Sequence, residues 1–337
     1  MAILVTSSTD TLINKLHQLR QGTHNKAWWA EHNAPNGDLA SMAYLDDIPA
    51  FNSPKDYRFT PPADTMNRNI DLYLWGDSYL EDVPGLVFAH VNQYHFGRNY
   101  FGELHYKLDT SKRNILIIES AERFFRPYFS YKTIYNFVSN DSSTMNALVN
   151  EQPLIKATGQ HINQDIEYLL FNYNFLNAPR CWKADLNYYC FGRASGNVII
   201  SADGRNLFIK ETSLSAHGYS SYETLPDNTI RGYAQTLDSI YDHYRAEGFD
   251  EVYLSIIPGP ISILQPGWYN YLIPRLAADT TLYMPLIDIY PAFKNHKDPH
   301  SLYRSGDSHW NNNGFRLWLD KVNELLANES VKHRQNR

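Results

Sequence analysis

The clearest apolar run in the first half of the chain, Ile70-Asp71-Leu72-Tyr73-Leu74-Trp75, stops at Gly76-Asp77-Ser78 and predicts a short strand entering a tight turn. A second run, Asn114-Ile115-Leu116-Ile117-Ile118-Glu119, is apolar on both faces instead of alternating, which predicts a fully buried strand of a parallel sheet. Residues 228–248 carry Ile230, Tyr233, Leu237, Ile240, Tyr241 and Tyr244 at helical spacing, close at Gly248 and lead into the apolar run Val252 to Pro258. Leu282 to Ile289 reads as one more strand, and Asn313 to Leu326 as an amphipathic helix presenting Leu317, Trp318, Val322, Leu325 and Leu326. This alternation of strand and helix predicts an α/β fold, a three-layer, doubly wound, mainly parallel sheet spanning residues 68–327.

The flanks follow other patterns. Leu12, Ile13, Leu16 and Leu19 have helical spacing, but Trp28-Trp29, the stretch Asn33 to Gly37 and an Asn-, Pro- and Asp-rich run up to Pro61-Pro62 keep no period. Residues 1–67 are therefore expected to be an arm packed on the main domain. Residues 137–195, rich in Asn, Ser and Tyr, read as an insertion, and residues 196–210 as a hairpin turning at Asp203-Gly204. Residues 328–337 read as a tail, and no repeat period is present.

Composition narrows the classes. A chain of 337 residues with 43% hydrophobic and 20% charged residues is globular, neither disordered nor fibrous. Thirty-six acidic against 30 basic residues, a net charge of −6, leave no broad basic face, so no nucleic-acid partner is expected. The excess of tyrosine, 25 residues, suits core packing and also stacking on sugar rings. Cys181 and Cys190 are the only cysteines, which excludes a disulfide framework and a four-cysteine zinc site. The apolar start Met1 to Val5 turns polar at Thr6, too short for a leader or a membrane span. A soluble chain is expected, cytoplasmic if complete and extracytoplasmic if a leader or anchor was removed.

Nucleotide and zinc-peptidase signatures are missing: there is no Walker-type loop, no HExxH, and no GxGxxG after a strand. Gly192 to Gly196 reads as a loop. Two segments far apart in the chain, Gly76-Asp77-Ser78-Tyr79 and Gly306-Asp307-Ser308-His309-Trp310-Asn311, together supply a serine, an imidazole and a carboxylate. A serine hydroxyl needs a base to take its proton and a third group to fix the tautomer of that base. Ser78 follows a strand end, where open parallel sheets bind ligands, and Asp307 and His309 are spaced to point the same way from an extended loop. Taken alone, Gly-Asp-Ser is an Asx-type turn, and 307–309 is a loop before the last helix, with Trp310 packing and Asn313 as cap. Taken together they favour nucleophilic catalysis. A metal reading of Asp307 and His309 with His296 and His300 lacks close ligand spacing, so neither a metal nor another cofactor is expected.

These residues resemble the SGNH (GDSL-type) hydrolase superfamily, with Gly-Asp-Ser early and the Asp-His pair late. Gly306 to Asn311 resembles the D-x-H-W motif of the alginate O-acetyltransferase-like branch, and Ile117 to Arg123 resembles that branch's strand ending in E-x-x-E-R. The likeness covers roughly residues 68–327. It implies Ser78 as nucleophile, His309 as general base and later acid, Asp307 as orienting carboxylate and the Ser78 N–H as one oxyanion donor. The superfamily's glycine and Gly-x-Asn-Asp blocks are not evident, which leaves Gly97, Arg98 and Ser120 as candidates for the second donor. Glu122, Arg123 and Trp310 are pocket candidates, with a Glu122–Arg123 ion pair as the structural alternative. In the acetyltransferase branch the Asp-His block commonly precedes the serine, whereas here it follows. The resemblance thus implies acyl-ester chemistry on a carbohydrate, as an O-acetyltransferase or O-acetyl esterase. The alternative is a non-catalytic carbohydrate-binding or scaffold protein with a decayed site.

Overall fold

A computed structural model describes residues 37–62, 68–98, 104–105, 107–129, 138–139, 174–213 and 220–335. The predicted helix at 12–20, Trp28-Trp29 and most of the 137–195 insertion lie outside the described residues. The strands are β1 (Ile70–Gly76), β2 (Val91–Arg98), β3 (Leu104–His105), β4 (Arg113–Ala121), β5 (Val138–Ser139), β6 (Val198–Ile200), β7 (Leu207–Ile209) and β8 (Glu251–Ile257). The helices are α1 (Asp38–Ala43), α2 (Glu122–Phe129), α3 (Asn174–Phe191), α4 (Asp227–Ala246), α5 (Pro260–Leu264), α6 (Leu272–Ala277), α7 (Tyr290–Lys294) and α8 (Asn312–Gln335).

The main sheet is four-stranded and all parallel, in the order β2-β1-β4-β8. Every residue of β1 is buried, as are all of β4 after Arg113 and all of β8 after Glu251, which is why their sequences are apolar on both faces. On one face of β8, Tyr253 Oη donates to Glu329 and Ser255 Oγ accepts from Trp318 Nε1 of α8, at 3.0 and 2.9 Å. The alternate residues Val252, Leu254 and Ile256 are buried on the other face. The protein is thus an α/β structure with a sheet covered on both sides.

Two expectations need correction, and one strand went unpredicted. Leu282 to Ile289 is extended beside β8 but forms only a bridge, Leu254 to Leu286, because Pro285 has no N–H to continue the ladder. Strand β2 escaped the hydrophobic pattern because Val91-Asn92-Gln93-Tyr94-His95-Phe96-Gly97-Arg98 is a half-exposed edge. Residues beyond 327 are no free tail: α8 runs to Gln335, its buried Glu329 bonding Arg113 and its buried Ser330 donating to Asn69 at 2.8 Å.

The 196–210 hairpin forms as β6 and β7, turning through Gly204 at φ +75° with Ser201 Oγ accepting the Asn206 N–H at 2.9 Å. It joins α1, the following arm residues and α3 in a second, smaller core containing Leu39, Leu45, Phe51, Ala184 and Leu207. The hairpin also receives the loop before α8, with the Leu207 N–H donating to Ser305 O at 2.8 Å and His300 Nδ1 lying 2.7 Å from Asn206 Oδ1. This second core holds the arm where its residues reach the carboxyl ends of the strands.

Candidate active site

The chain leaves β1 for β2 on one side, then crosses back to β4 on the other, so the crevice beyond the carboxyl ends of β1 and β4 is the switch point where such sheets bind ligands. Ser78 follows β1 there. Its turn is held by the buried Asp77, whose Oδ1 accepts the Tyr79 N–H at 2.9 Å and whose Oδ2 accepts the Ala121 N–H at 2.8 Å. The Asp77 N–H donates to Glu119 Oε2 at 2.8 Å. Burial first, and the Asp77 charge second, push the Glu119 carboxyl well above the usual carboxylate range, which favours its protonated form and relieves repulsion between two buried acids. The Ser78 N–H is left without a hydrogen-bond partner among the described residues.

A Cβ at Gly76 would lie 2.6 Å from Glu119 Oε2, so the position admits only glycine without moving that carboxyl. Gly76→Ala is expected to destabilise the fold by about 1–3 kcal/mol through overpacking, read as a lower urea midpoint at constant slope.

His309 reaches Ser78 from the loop before α8. Ser78 Oγ lies 2.8 Å from His309 Nε2, and His309 Nδ1 lies 2.6 Å from Asp307 Oδ1. The His309 N–H also donates to Asp307 Oδ1, at 2.9 Å, so backbone and ring are oriented by one oxygen. The other oxygen, Oδ2, is paired with the guanidinium of Arg304, itself buried. Burial alone would raise the Asp307 pKa, but the bond and charge of His309 and the charge of Arg304 together hold it well below the usual carboxylate range. The loop is closed by a Tyr303–Trp310 bridge, and Tyr79 lies beneath it, its ring 4.7 Å from the His309 ring and its hydroxyl donating to Ser308 O at 2.6 Å. The cap of α8 is Asn311, not Asn313: Asn311 Oδ1 accepts the N–H groups of Asn313 and Gly314.

The arm completes the arrangement. Gly37, at φ +125°, brings the chain so close that a Cβ would meet Gly306 O at 2.2 Å, and the Leu39 and Ala40 N–H groups donate to that same oxygen. Asp38 accepts from Ser308 twice, at Oδ1 from the N–H (2.8 Å) and at Oδ2 from the hydroxyl (2.6 Å). Its Oδ2 lies 3.8 Å from His309 Nδ1. Partial desolvation, then the charge of Asp307, raise the Asp38 pKa. The described groups facing the imidazole are thus Ser78, Asp307, Asp38, Ser308 and Tyr79. Ligand atoms of Asp38, Asp307 and His309 lie within 4.8 Å of one another, but the Asp307 and His309 atoms are engaged with each other and Asp307 also with Arg304, so the cluster is a hydrogen-bonded relay.

Since Asp38 keeps 40% of its side-chain surface, solvent screens its effect. Asp38→Asn is expected to lower ester turnover about two- to ten-fold, because an amide keeps only one of the two oxygens that accept from the Ser308 N–H and hydroxyl beside the imidazole. Unchanged kcat would show that this hold on Ser308 does not position the relay.

The remaining sequence candidates divide. Gly97 and Arg98 lie in the β2 ladder opposite Trp75 and Gly76, and the Arg98 guanidinium engages Glu81. Ser120 is fully buried, its hydroxyl donating to Ala121 O at 3.0 Å. Gly97 is fixed in the ladder and the Arg98 and Ser120 side chains are bonded elsewhere, and edge pairing that the sequence pattern did not reveal is the reason for the first two. Trp310 is also no pocket residue, being fully buried among Tyr79, Phe315 and Trp318. Glu122 and Arg123 do line a small, partly enclosed cleft of about 20 Å³, together with Tyr79, Phe208, Ile261 and Ser308. Ser78 and His309 do not line this cleft, but Tyr79 adjoins both and Ser308 precedes His309. The Glu122–Arg123 ion pair does not form: Glu122 Oε2 accepts the Gly259 N–H at 2.9 Å, and Arg123 lies against aromatic rings. Asp38, Arg304, Tyr79 and Glu119 were not singled out from sequence. No family model, curated protein or solved structure matches the chain.

A hydroxyl within hydrogen-bond reach of an imidazole that is itself oriented by an ionised carboxylate can pass its proton to Nε2 as it attacks a carbonyl. The unpaired Ser78 N–H is a donor for the oxygen that then becomes negative.

Proposed function

We propose that the protein carries out serine-dependent acyl-ester chemistry on a carbohydrate, as an O-acetyltransferase or O-acetyl esterase, and that it is an SGNH-like, flavodoxin-like doubly wound enzyme. The observation that carries this reading is the continuous relay from Ser78 Oγ through the His309 ring to Asp307, with separations of 2.8 and 2.6 Å. Ser78 Oγ attacks the ester carbonyl while its proton passes to His309 Nε2. The tetrahedral intermediate collapses, His309 returns the proton to the leaving alkoxide, and the acyl group stays on Ser78. Water or a sugar hydroxyl then attacks the acyl-serine, with His309 as base in reverse.

Parallel-sheet topology, the Gly-Asp-Ser turn at the carboxyl end of β1 and the Asp-x-His-Trp loop before the last helix support the superfamily reading. The choice between hydrolysis and transfer turns on which nucleophile meets the acyl-serine. The test is p-nitrophenyl acetate turnover with and without a neutral or acidic oligosaccharide acceptor. Release of nitrophenol with acetylated sugar supports transfer, and release with acetate alone supports the esterase. Absence of turnover on this and on acetylated sugars contradicts the enzyme reading.

A further inference from the structure

We infer that Arg123 makes the cleft beside Ser78 a subsite for a carboxylate carried by the ester substrate, so that anionic esters are selected over neutral ones. The inference rests on the reading of Ser78 as nucleophile and deepens it.

Arg123 stands at the carboxyl end of β4 in the first turn of α2 and lines the cleft. Its guanidinium carbon lies 4.6 Å from the Phe124 ring centre and 5.9 Å from that of Tyr79. Those rings pack against the guanidinium but offer its N–H groups no acceptor. Nε is buried with no hydrogen-bond partner, and no described carboxylate forms an ion pair with the group. Arg126, Arg275 and Arg304, by contrast, each bind an acid: Glu223, Asp227 and Asp307.

The acids nearest in sequence form no ion pair with Arg123, although its charge acts on Glu119. Glu119 accepts from the Asp77 N–H and Glu122 from the Gly259 N–H. Burial raises the pKa of both, Glu119 with the added charge of Asp77, which weakens any compensation they offer. A partly buried cation with no ion-pair partner is poorly compensated, which favours an anion entering the cleft. The guanidinium fork matches a carboxylate bidentately, and the amino end of α2 adds its partial positive charge on the same side. Tyr79 touches both Arg123 and His309, so an anion held at Arg123 sits one aromatic ring away from the relay.

The carboxylate can belong to the acyl group or to the sugar, and matched ester pairs distinguish the two. On the acyl side, p-nitrophenyl hemisuccinate is compared with p-nitrophenyl butyrate. On the sugar side, an O-acetylated methyl glucuronide is compared with the corresponding methyl glucoside. The expected result is a kcat/KM preference of about ten- to a hundred-fold for the charged member of one pair, carried by KM, that collapses toward unity in Arg123→Gln and partly returns in Arg123→Lys. A preference that survives Arg123→Gln, or equal rates within both pairs, overturns the inference while leaving the esterase reading intact. Calorimetric titration of wild type and Arg123→Gln with succinate and with methyl glucuronide needs no turnover. Tighter binding of either anion by wild type supports the subsite even if Ser78 proves inert, and identical binding or none overturns it.

Discussion

Ser78→Ala lowers kcat for p-nitrophenyl acetate by about 10⁴-fold or more while leaving the fold intact. The size follows from the order of events: the acyl-enzyme cannot form without Oγ, and the residual rate over water comes from the oxyanion donor and binding alone. The variant tests chemistry and not folding, because Ser78 makes one side-chain hydrogen bond, to His309, and is only partly buried. The turn that carries it is held instead by Asp77, through Tyr79, Ala121 and Glu119. Circular dichroism and the urea midpoint are expected to match wild type within about 0.5 kcal/mol. A variant that keeps wild-type turnover removes Ser78 from the reaction.

Asp307→Asn has the second largest effect and acts on two levels. On activity, an amide can donate to Nδ1 and stabilise the wrong imidazole tautomer, with the proton on Nε2 where Ser78 needs an acceptor. A loss of about 10⁴-fold in kcat is expected. On stability, the substitution strips the buried Arg304 of the carboxylate it faces. An uncompensated buried charge costs more than a lost surface pair, so Asp307→Asn lowers the denaturation midpoint where Ser78→Ala does not. The pH dependence follows from the depressed pKa of Asp307 in the folded state. A carboxylate lowered on folding stabilises above its unfolded value, about 3.9, and that contribution is lost as pH falls through the folded value. The stability gap between wild type and Asp307→Asn is therefore greatest near neutrality and narrows in acid. A constant gap from pH 7 to pH 2 would mean that ionised Asp307 does not contribute to stability.

Legibility in the sequence followed burial. β1 and β4 lie inside the sheet, and β8, though last in the order, is buried after Glu251; all three are apolar on both faces, so pattern alone located them. β2 is an edge strand with polar residues toward solvent, and its pairing with β1 left no periodic trace. Missing it also left Gly97 and Arg98, which pair with Trp75 and Gly76 in that ladder, among the candidates for the second oxyanion donor. The run Leu282 to Ile289 was overread because apolar content persists through Pro285, where the ladder cannot. The two halves of the relay were legible because each carries a local motif. Asp38 was not, since its partners Asp307 and Ser308 lie 269 and 270 residues away and nothing around it in sequence signals the meeting. Arg304 was missed for a related reason: a lone arginine before a motif gains meaning only when the loop folds back to bring it onto Asp307.

The central claim is that Ser78 is activated by His309. The most direct measurement is the reaction of the intact protein with a fluorophosphonate probe, with the modified residue located by peptide mass spectrometry in wild type and in His309→Ala. The account predicts stoichiometric modification of Ser78 in wild type and loss of that modification in His309→Ala. Labelling that is absent, falls on other serines, or proceeds equally without the imidazole would contradict it.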